Sequence, residues 1–399
     1  MSPLVKGGRV FLEGGFRDAD ILIENGKIKK VGPGLDKGGE RPVNASGLLV
    51  VPGLIDPHVH LREPGAEYKE DFRTGTRAAV AGGFTTVMDM PNNNPPTTTA
   101  ERLEEKKKLA KKKALCEVLF HFGTTDSNFE EVRKADPGSL KVYMGRTTGE
   151  LMLKEKDSLE RHFSEFDHRR PIVVHASDDS PDEKKNLAAT YANAGHAASV
   201  AQKHGQRAHL AHVSTPHEIT LFKKSANTTC EVAPHYLFLS AKDAKRLGPM
   251  GSAYPPLRSE QKRITLWHCL ERIDCIATDH APHTTEDKEA GARGFPGLET
   301  CLSLMLDAHH KGLLGIDWVI PAMTENPARI FNLRGKGRIA AGYDADLTLI
   351  DMKKEWTVDG TELLTKCRWS PFEGKRLKGR AVSVMRKGEL LMEDGELRE

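Results

Sequence analysis

Between residues 49 and 281, short apolar runs rich in β-branched side chains alternate with longer, charged, helix-like stretches. The apolar runs at 49–61, 84–90, 116–123, 139–145, 171–176, 207–213, 228–237 and 273–281 predict strands, and the stretches at 71–81, 100–114, 182–204 and 260–272 predict helices between them. Strands alternating with helices call for a parallel sheet, and eight of them favour closure into a (β/α)8 barrel over an open sheet. Both ends of the chain have a different texture. Near the start, two alternating runs flank Asn25-Gly26, a two-residue hairpin signal, and near the end one similar run (346–350) follows a glycine turn and another (381–385) precedes the turn at Lys387-Gly388. Neither end has enough strands to bury a face by itself, so the termini are expected to pair. The reading is an α/β fold: a small β-sandwich domain from residues 1–50 and 336–399, and a catalytic barrel over 51–335.

Composition narrows the function classes. Of 399 residues, 38% are hydrophobic and 29% charged, which suits a folded chain with a sizeable core. Lys+Arg 59 against Asp+Glu 56 leaves a net charge of +3, too balanced to suggest a nucleic-acid or membrane partner. No apolar run reaches the length of a membrane span, and the N-terminal residues do not read as a signal peptide. The six cysteines are scattered without a CxxC pair, as expected of a reduced, cytoplasmic protein. The charged run 104–113 reads as a solvated helix face.

Candidate chemistry gathers at the predicted strand ends. His58 and His60 lie two apart, so on a strand both point to one side and can share a metal ion. Lys141, His175, His212 and Asp279 fall at the ends of later strands, where a (β/α)8 barrel builds its active site. An ammonium is no metal ligand, but burial in an apolar strand favours a neutral amine, which can take up carbon dioxide and become an anionic carbamate. The alternative for Lys141 is a stem packed in the barrel with its head at the rim. Arg62 follows His60 by two and shares its side if the strand persists; its planar fork suits a carboxylate. A surface arginine paired with a nearby glutamate is the other reading.

The segment Pro52-Gly53-Leu54-Ile55-Asp56-Pro57-His58-Val59-His60-Leu61-Arg62-Glu63-Pro64-Gly65 resembles the amidohydrolase superfamily, and within it the dihydroorotases. So do Met90-Pro91-Asn92, Glu231-Val232-Ala233-Pro234-His235, Asp279-His280-Ala281-Pro282-His283 and the stretch 294–300. The resemblance implies two zinc ions per subunit. One is held by His58, His60 and Asp279 and the other by His175 and His212, with N6-carboxylated Lys141 bridging both. It also implies reversible closure of N-carbamoyl-L-aspartate to L-dihydroorotate in pyrimidine biosynthesis, with Arg62, Asn92 and His283 holding the substrate carboxylate. Hydrolysis of a cyclic amide needs a strong nucleophile near neutral pH, and a hydroxide bridging two cations meets that need. Asp279 is then the expected catalytic proton carrier between that hydroxide and the ring nitrogen.

Some positions depart from the family pattern. Tyr254 stands where asparagine is common, which puts that contact to substrate in doubt. The loop after Lys141 resembles a substrate-covering lid, with Thr147, or its neighbour Thr148, near the tip; the glycines beside it fit a hinge or an ordinary tight turn. Glu231 reads either as a further ligand or as a partner that orients a histidine. Where a third zinc occurs in the family, a cysteine precedes the histidine matching His212; here it is Ala211. His121, His196, His209, His235 and His309 read as structural or surface residues. Rival readings are another cyclic amidohydrolase (a dihydropyrimidinase, hydantoinase or allantoinase) and a non-catalytic scaffold. Self-association, or association with an aspartate transcarbamoylase, stays open.

Overall fold

In the computed structural model, which describes residues 3–35, 41–147 and 149–398, hydrogen bonding divides the strands into a terminal sheet and a barrel. The terminal sheet begins with β1 (Pro3–Leu12), β2 (Gly15–Glu24), β3 (Lys27–Gly32), β4 (Arg41–Asn44) and β5 (Leu49–Pro52). Asn25 and Gly26 both take left-handed backbone (φ 52 and 73), as a tight hairpin turn between β2 and β3 requires.

The barrel follows with β6 (Leu54–Val59), β7 (Phe84–Asp89), β8 (Glu117–Phe120), β9 (Phe122–Gly123), β10 (Leu140–Tyr143), β11 (Ile172–His175), β12 (Ala208–Leu210), β13 (Thr228–Val232) and β14 (Cys275–Ile276). All pair in parallel within a three-stranded and a six-stranded sheet. β8 and β9 act as one stave broken at His121, whose N–H donates to Asp89 O on one neighbour while the next residue, Phe122, donates to Ser139 O on the other. The last gap is closed by a parallel bridge between Val59 and His280 and by His60 N donating to His280 O at 2.8 Å. Asp56 reinforces this seam, since its buried carboxylate accepts from the N–H groups of His58 and Thr278 and from the Thr278 hydroxyl.

The chain then returns to the terminal sheet through β15 (Leu347–Thr357), β16 (Arg376–Arg386), β17 (Glu389–Glu393) and β18 (Glu396–Leu397). Antiparallel pairing of β15 with β5 joins the two ends of the chain. The hydrogen bonds run along one nine-stranded path, β18-β17-β16-β15-β5-β1-β2-β3 with β4 beside β1, rather than through two separate sheets. Its inward residues, including Val5, Ile21, Ile23, Val50, Leu347 and Leu349, form a core of their own.

In two of the later apolar runs the strand ends well before the run does. The run 228–237 leaves the sheet after Val232, because Pro234 has no N–H for a ladder and instead starts the helix Pro234–Phe238. The run 273–281 is strand only at Cys275–Ile276, and Asp279 is left-handed (φ 48). The helices Phe72–Ala81, Ala100–Lys113 and Glu183–His204 occupy the expected stretches. The charged run 104–113 is not wholly solvated. Leu103, Lys106 and Ala110 share the buried face, and Lys106, 1% exposed, lies 2.7 Å from Asp89 and donates to Met90 O at 2.8 Å.

Candidate active site

The side chains of His58, His60, Lys141, His175, His212 and Asp279 line one cavity of about 400 Å³ at the C-terminal rim of the barrel. Arg62, Asn92, His283 and Thr147 line it too, together with Lys69, Tyr143, Tyr254 and Arg293. Every site residue expected from the sequence therefore converges here except Thr148, which lies outside the described residues.

The hydrogen bonds of His58 and His60 decide which of their nitrogens carry protons. Nδ1 of His58 lies 2.5 Å from Glu231 Oε1, and Nδ1 of His60 lies 2.8 Å from Asn92 Oδ1. A carboxylate and an amide oxygen only accept, so both rings carry hydrogen on Nδ1 and present a lone pair at Nε2. Those Nε2 atoms lie 3.3 and 3.1 Å from the same oxygen, Asp279 Oδ1. Three acceptors thus face one another with no hydrogen between them. They repel unless a cation sits among them, so the donor set fits a metal ion.

The second half of the site is similar. His175 Nδ1 and His212 Nε2 are 2.8 Å apart, a separation bridged by one proton or, if both offer lone pairs, by a cation. Lys141 is fully buried on β10, and its Nζ has no hydrogen-bond partner among the described residues. An unpartnered buried amine is costly, which is the situation a carbamate bound to cations would relieve.

Burial sets the protonation of these groups. It lowers His60 to about 4 and His212 to about 3, and drives His175 well below its ordinary value, so the imidazoles remain neutral and able to ligate. It lowers the Lys141 amine to about 8 against the opposing pull of Glu231 and Asp279.

Glu231 resolves to the orienting role. Besides His58, its carboxylate accepts from His209 Nε2 at 3.1 Å and from the His212 N–H at 3.3 Å, so one buried acid positions groups from two other staves. His209 is accordingly structural, as is His121, which is anchored to Pro57 O and Ser139 Oγ.

Arg62 reaches the cavity by a different route from the one expected. β6 stops at Val59, and Arg62 is left-handed (φ 63), so a turn rather than a continued strand aims the guanidinium. Its Nε donates to Pro282 O at 3.1 Å and its Nη2 lies 3.0 Å from His283 Nε2. Gly65 permits this turn: a Cβ there would lie 1.9 Å from Asn94 O. Burial, together with the Arg62, Lys69 and Lys288 cations, keeps the His283 ring neutral by lowering it to about 2.

Around the mouth, Asn92 Nδ2 donates to Thr147 Oγ1 at 3.3 Å. Tyr254 donates to Ser177 O at 3.1 Å, and its ring lies 4.9 Å from that of His175, so it covers one wall instead of supplying an amide. Gly145 is a packing requirement, since a Cβ would meet Ser177 O at 1.9 Å. Sequence reasoning missed Lys106, which holds the Asn92 segment from below; its spacing with Leu103 and Ala110 was the available signal. It also missed Lys69, which stands among other charged residues with nothing to single it out.

A family model described as Amidohydrolase family matches residues 49–391. The dihydroorotase of Pyrococcus furiosus is 37% identical over 400 residues, spanning 99% of this chain and 94% of that protein. The multifunctional protein CAD of Squalus acanthias is 37% identical over 359 residues, spanning 88% of this chain but 15% of that protein. Among solved structures, the L-hydantoinase (dihydropyrimidinase) from Arthrobacter aurescens superposes with a TM-score of 0.94 at 30% identity, covering 100% of this chain and 97% of that one. With its barrel, its rim of imidazoles and these matches across nearly its whole length, the chain belongs to the amidohydrolase family.

Proposed function

We propose that this chain is a dihydroorotase, a cyclic amide hydrolase that interconverts L-dihydroorotate and N-carbamoyl-L-aspartate in pyrimidine biosynthesis. The observation that carries the reading is the meeting, in one cavity, of a cation-seeking group (His58, His60, Asp279) with the donors Arg62 and His283. A hydantoin or dihydrouracil ring has no carboxylate to match those donors, and a desolvated guanidinium without an anionic partner is unfavourable.

His58, His60 and Asp279 would hold one zinc ion, His175 and His212 a second, and carboxylated Lys141 both. Cations held there would supply the means to activate water near neutral pH and to polarise the amide carbonyl. Arg62, His283 and Asn92 hold the substrate carboxylate and so fix the ring's orientation. Asp279 takes a proton from the attacking water at its carboxylate and returns it to the departing ring nitrogen. Ring closure runs the same transfer backwards. Thr147, bonded to Asn92, serves as the inner contact of a covering loop.

Residues 51–335 act as the catalytic barrel and residues 1–50 with 336–399 as its β domain, the boundary falling within the terminal-sheet strand Leu49–Pro52. No helix among the described residues is long and apolar enough to cross a membrane, and all six cysteines are free, which suits the reducing cytoplasm. The match to one part of a multifunctional protein supports work beside another enzyme; an aspartate transcarbamoylase is the partner we propose, with self-association as the alternative. The test offers purified protein dihydroorotate, N-carbamoyl-aspartate, dihydrouracil and hydantoin while its metals are measured. Turnover of the first two with bound zinc is expected. Preference for a neutral ring would overturn the proposal in favour of a hydantoinase.

A further inference from the structure

We propose that Lys69 is a positioning residue that decides which ring nitrogen of His283 carries the proton, and so keeps His283 and Arg62 open as paired donors to the substrate carboxylate. The inference rests on the dihydroorotase reading and adds a residue to it.

Lys69 lies between the Arg62 turn and the helix Phe72–Ala81, and its side chain lines the cavity. Its Nζ is 3.2 Å from His283 Nδ1 and 3.2 Å from Asp287 Oδ2. Asp287 is itself held by the capping box that Thr284 forms on the helix Thr285–Glu289, so the ammonium has a fixed seat. An ammonium has only hydrogens to offer, and His283 Nδ1 must therefore accept. A neutral imidazole has one N–H, which leaves it on Nε2.

That placement has a consequence at the other side of the ring. Nε2 lies 3.1 Å from Arg293 O, which accepts, and 3.0 Å from Arg62 Nη2, which donates. The contact between two donors is satisfied when a third atom accepts from both, and a carboxylate oxygen does so. With the proton on Nδ1 instead, that hydrogen would face the Lys69 ammonium, and Nε2 would accept from Arg62. The two residues would then satisfy each other and present no shared acceptor site. Lys69 opposes that self-closure.

The experiment compares the zinc-loaded protein with Lys69→Met and Lys69→Arg. The Met variant is expected to raise the KM for dihydroorotate about 10- to 100-fold, the value of a hydrogen bond to a charged group. Its kcat should stay within about 3-fold and its metal content should be unchanged, because the hydrogen bonds that orient the metal ligands do not involve Lys69. Lys69→Arg, which still donates, should recover most of the loss. Long-range proton–nitrogen spectra of isotopically labelled protein should show Nε2–H on His283 in the unsubstituted chain and a shift toward Nδ1–H in Lys69→Met. The unsubstituted spectrum needs no variant to fold, and Nδ1–H there would overturn the inference. So would an unchanged KM in Lys69→Met while Arg62→Ala raises it. If Arg62→Ala also leaves KM unchanged, the carboxylate reading itself has failed.

Discussion

At the metal end of the cavity, His58 and His60 commit their Nδ1 hydrogens to Glu231 and Asn92, leaving Nε2 lone pairs directed at Asp279 Oδ1. At the other end the polarity is reversed. Lys69 occupies the lone pair of His283, whose remaining hydrogen on Nε2 lies between Arg293 O and the donor Nη2 of Arg62. Both ends are built from partners that remove the unwanted half of an imidazole's hydrogen-bonding capacity. The contrast teaches that the site's specificity is a matter of hydrogen placement: one end concentrates acceptors and needs cations, while the other concentrates donors and needs an anion. The supports differ as well. The acceptor end is tied to its strands by Asp56 and Glu231, although His212 and Asp279 are left-handed like Arg62, whereas the donor end stands wholly on a turn and a loop.

The largest effects should come from removing the acceptor end. Lys141→Ala is expected to lose the bridged metal pair and with it detectable turnover, and full metal content in that variant would refute the bridge. Asp279→Ala should reduce kcat by about 10²- to 10⁴-fold, the usual worth of a positioned acid–base group, even where some metal remains. Near-normal rates would remove Asp279 as proton carrier. If the two ends are separable, both variants should still bind the carboxylate of dihydroorotate, as calorimetry would show.

Breaking the donor end should do less and do it differently. Arg62→Ala is expected to weaken dihydroorotate about 100-fold in KM, the order of a lost charge-assisted bidentate contact, with zinc content unchanged. Dihydrouracil, which has no carboxylate, should be affected far less. Equal effects on both substrates would discredit the carboxylate clamp, and loss of zinc would show that the two ends are one unit.

A finer probe is Glu231→Gln. It preserves shape but weakens the pull on the Nδ1 hydrogen of His58 and the Nε2 hydrogen of His209, and should lower zinc affinity about 10- to 100-fold. Chelator competition would measure it, and an unchanged affinity would reduce Glu231 to a packing residue.

How far the sequence disclosed this arrangement depended on the range of the interaction concerned. His58 and His60, two apart at a strand end, were legible because strand periodicity alone puts them on one side, and the later ligands because a barrel gathers its strand ends at one rim. The barrel itself was legible from alternation. Arg62 was selected for the right cavity on a premise the backbone does not follow, since a left-handed turn replaces the continued strand. The burial of Lys106 was hidden by its charged neighbours, and the roles of Lys69 and Glu231 were undecidable from local pattern. Each depends on which residue from a distant segment arrives beside it, and that is set by tertiary packing.

The smallest expected effect concerns the floor beneath the metal end. Burial lowers His121 to about 3 and His235 to about 4, from an ordinary value of 6.5, so both stay neutral in the folded chain as the pH falls. The unfolded chain takes up these protons near 6.5, and therefore binds more of them throughout the interval below it. Stability is thus fully present above pH 6.5 and declines as the pH falls toward 4, by about 1.4 kcal/mol per unit for each group. Urea unfolding of the metal-free protein at pH 7 and pH 5 isolates this from zinc release. His121→Gln, which can keep bonds to Pro57 O and Ser139 Oγ, should show a shallower loss between those two values. An identical slope would mean that His121 is already protonated in the fold, and the acceptor end would then stand on a charged floor rather than a neutral one.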